Sequence, residues 1–159
     1  MTIKIICAGK MKEKYLTEAA EEYRKRLSRF AAVEIAEVAD ESIPEKASEA
    51  EEKAAIAREG ERILSRIRPG DHVIALAIDG KSYSSEAFAE HVRKLQDRGC
   101  RSLAFVIGGS LGLSPAVYER ADEKLSLSEM TFPHRIARIL ILEQTYRAYK
   151  ILANETYHK

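Results

Sequence analysis

The sequence is poor in features that would place it in several functional classes. It has two cysteines, Cys7 and Cys100. No Cys-x-x-Cys pair exists, which argues against a zinc knuckle or a dithiol redox motif and leaves each as a reduced thiol packed beside an apolar run. No apolar stretch approaches the roughly 20 residues a membrane-spanning helix needs. "MTIKIICAGK" also has too short an apolar core for a secretory signal, so the expectation is a cytoplasmic protein without a membrane partner. Four prolines and eight glycines are scattered through 159 residues, with no linker, repeat or low-complexity tract. A chain of this length is expected to form one domain, residues 1–159.

Net charge is nearly absent, at +1. Its distribution is uneven: Gly9 to Arg29 carries seven Lys or Arg against four Glu, Glu34 to Arg62 ten acids against four bases, and Pro133 to Lys159 five bases against two acids. Two basic ends of this kind can attract a phosphate backbone, although solvated helix faces give similar counts.

What is present is a rhythm. Short runs rich in Ile and Val ("IKIIC", "VEIAEV", "HVIALAI", "LAFVI") alternate with amphipathic stretches at Glu13 to Leu27, Glu45 to Ile67 and Ser84 to Arg98. Helical crossovers between short buried strands predict an α/β fold: a mostly parallel sheet with helices on both faces. Ser84 or Ser85 can cap the third helix, and Ser114 caps a short one that starts at Pro115. "EKLSLS" alternates as a last strand should. A final helix is expected from Pro133 to about Ala153. Its Ile136, Ile139, Leu140, Ile141 and Leu142 point several ways around a helical wheel, so it is covered either by a second subunit or by the domain's own core.

Several catalytic patterns are matched only in part. Gly108, Ser110 and Gly112 satisfy G-x-S-x-G, and Asp122 and His134 follow in the order of a hydrolase triad. An elbow serine, however, needs a helix directly after it, and "LGLSP" postpones that helix. Gly80, Lys81 and Ser82 resemble the end of a phosphate loop, but the earlier glycine would fall at Ala75, inside a strand. "GGSLG" lacks the order of a dinucleotide fingerprint. His72, His91, His134 and His158 are separate in sequence and without metal-ligand spacing, so no metal is expected.

Strand ends remain. "HVIALAIDG", "LAFVIGGSLG" and "LSLSEMTFP" each close a buried strand with small or turn-forming residues, and open parallel sheets bind ligands beyond the carboxyl ends of their strands. Gly108 and Gly109 would let backbone approach a ligand closely.

The same residues carry a resemblance. "FVIGGSLGLS", "LSLSEMTFPHRIARILILEQTYRAYKI" and the closing "YHK" resemble the ribosomal RNA large subunit methyltransferase H family of the SPOUT class, and the likeness runs along the whole chain. It implies a C-terminal deep trefoil knot, a homodimer, and S-adenosylmethionine as methyl donor, without a metal. The implied reaction is methylation of N3 of a pseudouridine in large-subunit ribosomal RNA, in the assembled ribosome. Donor contacts carried over by motif are Leu76 in "VIALAIDG", Gly108 in "FVIGGS", and Leu127, Ser128, Glu129, Met130, Thr131 and Phe132 in "LSLSEMTF". Glu143, Arg147, Tyr157 and His158 are candidates for positioning the substrate, with no catalytic base assigned. Glu143 and Arg147 also form an i, i+4 pair, for which a structural salt bridge is the competing reading. The competing function is a noncatalytic ribosome-binding or assembly factor that keeps a nucleotide pocket.

Overall fold

The computed structural model describes all 159 residues, Met1–Lys159. Five strands and five helices alternate: β1 Thr2–Ala8, α1 Lys14–Leu27, β2 Ala32–Val38, α2 Glu49–Leu64, β3 His72–Ser82, α3 Ser85–Asp97, β4 Ser102–Ile107, α4 Pro115–Arg120, β5 Glu123–Ser126 and α5 His134–Leu152. The strands form one sheet in the order β2-β1-β4-β3-β5, and every neighbouring pair is parallel.

Side-chain alternation sorts the strands onto two faces. Ile3, Ile5, Cys7, Ile74, Leu103, Phe105 and Ile107 face a core closed by α1, α3 and α5, with Phe88, Val92, Ile141 and Leu142 among the buried helical residues. Ile6, Ala8, Val73, Ala75, Ala104 and Val106 face the opposite side, where Ile63 of α2 and Val117 of α4 cover them. The expected layering is therefore present. Cys7 lies in the first core, where burial pushes its thiol up to about 11, and both cysteines are free.

Local signals set most boundaries. Ser84 accepts from the Ala87 amide at 3.1 Å and Ser114 from Val117 at 3.3 Å, each at a helix start. The second helix is shorter than the expected Glu45 to Ile67. Ser48 caps it by accepting from the Glu51 amide at 3.2 Å, so it begins only at Glu49. β3 is longer than "HVIALAI" suggests: Leu76 and Lys81 both register with Leu125, so Ala77 to Gly80 bulges out between them. The two histidines that look unrelated in sequence meet in space. His72 of β3 and His91 of α3 both bond to Glu123 of β5, through their Nε2 atoms at 2.6 and 2.9 Å from Oε1, because a strand and its crossover helix converge there. Residues with metal-binding geometry are absent.

α5 lies across the first face between α1 and α3. Its own core takes Ala137, Ile141, Leu142, Ala148 and Tyr149, while Ile136, Ile139 and Leu140 stay half-buried. No helix is long and apolar enough to cross a membrane.

At the amino-terminal ends of the strands, the buried Lys4 donates to Asp71 Oδ2 at 2.7 Å. The Ser102 hydroxyl donates to Oδ1 at 2.6 Å and the Arg68 amide to Oδ2 at 2.8 Å. Burial pushes the Asp71 carboxyl up, but the bonds from Lys4, Ser102 and Arg68 outweigh it and hold the group below its ordinary range. This contribution to stability is complete above the ordinary carboxylate value of about 4 and fades as pH falls through the lower folded value. Asp71→Ala leaves the Lys4 charge buried and alone, so an unfolding free-energy loss of about 3–5 kcal/mol is expected in urea titration. A loss below about 1 kcal/mol would show that Lys4 finds another partner.

Candidate active site

The carboxyl ends of β3, β4 and β5 open on one cavity of about 840 Å³. Three segments enclose it: the bulge at Leu76–Asp79, the turn Gly108–Leu113, and the loop from Leu127 to Pro133, with His134 and Ala137 of α5 closing one side. Of the eight residues expected at a donor site, Leu76, Gly108, Leu127, Ser128, Met130, Thr131 and Phe132 line this cavity. Glu129 lies in the same loop, but it is exposed and does not line the cavity.

Two close backbone approaches shape the cavity. A Cβ on Gly80 would stand 2.6 and 2.7 Å from the carbonyl carbon and nitrogen of Leu125, so only glycine lets the bulge rejoin β5. A Cβ on Gly108 would stand 2.7 Å from the Gly112 carbonyl carbon. The Gly112 amide donates to the Gly109 carbonyl at 3.1 Å, and Gly112 has φ +85°, which other residues rarely adopt. The first reason for glycine at 108 is thus closure of the turn itself. Below that turn, the buried Glu59 lies against Gly109. Its Oε2 accepts from the Glu41 amide at 2.7 Å while Oε1 has no partner, and burial pushes this carboxyl up.

The hydrolase alternative fails on this geometry. Ser110 is exposed, the following helix starts only at Pro115, and Asp122 is engaged with the Val73 amide at 2.7 Å.

Ser126 donates to the Ser128 carbonyl at 3.0 Å, and Ser128 Oγ accepts from the Met130 amide at 3.0 Å, so the last loop is held by its own short bonds. Around the mouth, Ile78, Met130 and Phe132 expose 57%, 75% and 37% of their surface, an apolar rim that a ligand or partner would cover. Sequence reading missed Asp79, Tyr118 and His134 as lining residues. His134 carried a signal, because it directly follows the loop motif. Burial pulls its imidazole down, helped by Arg135 and Arg138.

The four substrate-positioning candidates gather in a second place. Arg147 donates to Glu143 Oε1 at 2.6 Å, and the Tyr157 hydroxyl donates to the same oxygen at 3.0 Å. His158 touches Arg147 at 3.3 Å through Nδ1 and Glu86 at 2.6 Å through Nε2. The Tyr157 ring meets Tyr146 edge-on at 4.9 Å, and the Arg147 guanidinium lies 4.6 Å from its centre. Burial, then Glu143, pushes the Tyr157 hydroxyl well above its ordinary range. The expected salt bridge is real, but it is also the floor on which the tail rests. Asn154, at φ 53°, ends α5 in the left-handed conformation and turns the chain back, and Glu155 is clamped by Arg29 and Lys150.

The basic amino-terminal segment is partly neutralised at home, since Arg24 and Arg26 pair with Glu21 and Glu22. Such exposed pairs contribute little to stability. Glu143→Ala removes the acceptor for Gln144, Arg147 and Tyr157 together. With each lost bond worth roughly 1 kcal/mol, chymotryptic cleavage after Tyr157 is expected to accelerate about tenfold or more. An unchanged rate would show that the tail is held by other contacts.

Comparison with known proteins gives the family. A family model described as "Predicted SPOUT methyltransferase" matches residues 1–158. Curated relatives named ribosomal RNA large subunit methyltransferase H, from Bacillus pumilus (strain SAFR-032) and Bifidobacterium animalis subsp. lactis (strain AD011), are each 54% identical over 159 residues, covering 100% of both chains. Among solved structures, a probable methyltransferase from Bordetella pertussis aligns with TM-score 0.57 at 17% identity, covering 92% of this chain and 95% of its own. A Legionella pneumophila protein described as a "putative methyltransferase" and solved with its bound cofactor SAM aligns with TM-score 0.51 at 13% identity, over 94% and 66% of the two chains. The chain belongs to the SPOUT methyltransferase family, beside the ribosomal RNA large subunit methyltransferase H relatives.

Proposed function

We propose that this protein transfers a methyl group from S-adenosylmethionine to N3 of a pseudouridine in large-subunit ribosomal RNA, acting on the ribosome as a cytoplasmic homodimer whose carboxyl-terminal part is a deep trefoil knot. The observation that carries the reading is the convergence of three strand-end segments on one cavity. Those segments hold the stretches that carry the resemblance to the family, the curated relatives are named for ribosomal RNA, and a solved neighbour holds SAM.

The cavity fits such a donor. Its walls are mainly apolar, from Leu76, Ile107, Leu127 and Phe132, and the turn and loop backbones around them supply polar groups. This is the usual composition of a cofactor pocket. Leu76, Gly108 and Leu127 to Phe132 would hold the donor, with Glu129 at the outer edge of that loop. A sulfonium methyl is already activated: N3 takes the methyl carbon, the carbon–sulfur bond breaks to leave a neutral thioether, and the N3 proton passes to water. The protein's work is therefore chiefly positioning. Glu143 fixes Arg147 and Tyr157, and Tyr157 offers a ring on which an unstacked base can lie. His158 and Lys159 face the phosphates beside it. The half-buried Ile136, Ile139 and Leu140 and the exposed rim residues give a second subunit an apolar surface to cover.

Deleting Tyr157 to Lys159 is expected to lower labelled-methyl transfer to unmethylated ribosomes by about 100-fold, because misplacing a reactant costs on that order. Donor affinity in calorimetry should stay within about twofold. Equal loss in both assays would contradict the tail's role, and donor binding without transfer by the intact protein would favour the noncatalytic assembly factor.

A further inference from the structure

A second cavity, of about 310 Å³, adjoins the first, and Leu125, Leu127 and Phe132 are walls of both. Its other side is built from the start of α3 and the middle of α5, including Ser85, Phe88 and Gln144. At the small end of ligand-pocket sizes, it suits one ring with part of a sugar rather than a second donor.

Gln144 is held there from two sides. The Ser85 hydroxyl donates to its Oε1 at 2.7 Å, and its Nε2 donates to Glu143 Oε2 at 2.7 Å. A carboxamide has two N–H donors and an oxygen with two lone pairs. One donor and one lone pair of Gln144 thus remain unused, on a side chain that lines the cavity and is held from both ends. Through Glu143 the same side chain is tied to Arg147 and Tyr157.

We infer that this cavity receives the target base, turned out of its stack, and that Gln144 is the residue that distinguishes pseudouridine from uridine. The inference rests on the methyl-transfer reading given above. Enzymes that modify a base take it into a pocket between apolar or aromatic walls and read its edge by hydrogen bonds. Pseudouridine is joined to its sugar through carbon, so N1 carries a hydrogen that uridine lacks. Gln144 Oε1 accepts that N1–H while the free Nε2–H donates to the neighbouring O2. N3, on the other side of O2, is then the ring position presented to the wall shared with the donor cavity. Ser85 acts as a positioning residue for the carboxamide.

The test uses two preparations of unmethylated ribosomes, one with pseudouridine and one with uridine at the target position. Wild-type protein is expected to prefer pseudouridine by about 10–100-fold in kcat/KM, the usual cost of leaving a buried polar group unpaired. Gln144→Met, similar in size but without the amide, should bring that ratio close to one, while calorimetry shows the donor still bound. Ser85→Ala should give an intermediate ratio and serves if Gln144→Met does not fold. A wild-type ratio in both Gln144→Met and Ser85→Ala, or in Ser85→Ala alone if Gln144→Met is unfolded, would overturn the assignment of Gln144. Absence of transfer by wild-type protein to either ribosome would instead overturn the methyl-transfer reading, and this inference with it.

Discussion

Close backbone contact at Gly80 is the constraint on which the site depends. Because no side chain separates Gly80 from Lys124 and Leu125, β3 can leave the sheet after Leu76 and return at Lys81 against the same residue of β5. The excursion forms one wall of the large cavity and fixes where β5 ends, so the loop from Leu127 to Pro133 begins at the cavity's edge. The turn at Gly108 to Gly112 repeats the device at the end of β4. Any Cβ at these contacts would push apart segments that must meet.

Helix α5 joins the parts into one device. His134 and Ala137 in its first turn border the large cavity, Ile141 and Gln144 border the small one, and Glu143 and Arg147 hold the tail. Its buried Arg138 donates to Glu37 at 2.8 Å and to the Gly9 carbonyl at 3.2 Å, fixing the helix to the carboxyl ends of β1 and β2. Burial pushes the Glu37 carboxyl up, but the bonds from Arg138 and the Met11 amide prevail and hold it low. Charge is thus concentrated where elements must be aligned: Lys4 with Asp71 at one end of the sheet, Arg138 with Glu37 at the other. Lys4 and Asp71 are both buried, so their pair is costly to break singly, whereas Arg138 is buried and Glu37 partly open to solvent.

Much of this was legible in the sequence. The alternation of Ile and Val runs with amphipathic stretches gave the layers, because side-chain period reports burial directly. Ser84, Ser114 and Pro115 marked helix starts because their capping chemistry is local. The three strand ends marked the cavity because turn residues cluster where a parallel strand must stop. What stayed hidden depends on contacts distant in sequence. Nothing in "AIDGKS" reveals that Gly80 lies on Leu125, and the spacing of His72, His91 and Glu123 gives no hint that they meet. Glu59 looks like one more acid in an acidic stretch, yet it is buried beneath Gly109. Nothing in "NETYHK" shows that the tail is held, yet Glu143, Arg29 and Lys150 fix it. Gln144 was overlooked between two charged candidates, since only the fold places it on a cavity.

In the proposed function the three strand-end segments enclose the methyl donor and present it to the cavity beside α5. A crystal structure of the complete chain with S-adenosylmethionine tests it most directly. The donor is expected between the Leu76 bulge, the Gly108 turn and the Leu127 to Phe132 loop, with its methyl directed at the wall shared by the two cavities. A donor bound elsewhere, or bound there with its methyl turned away from that wall, would contradict it.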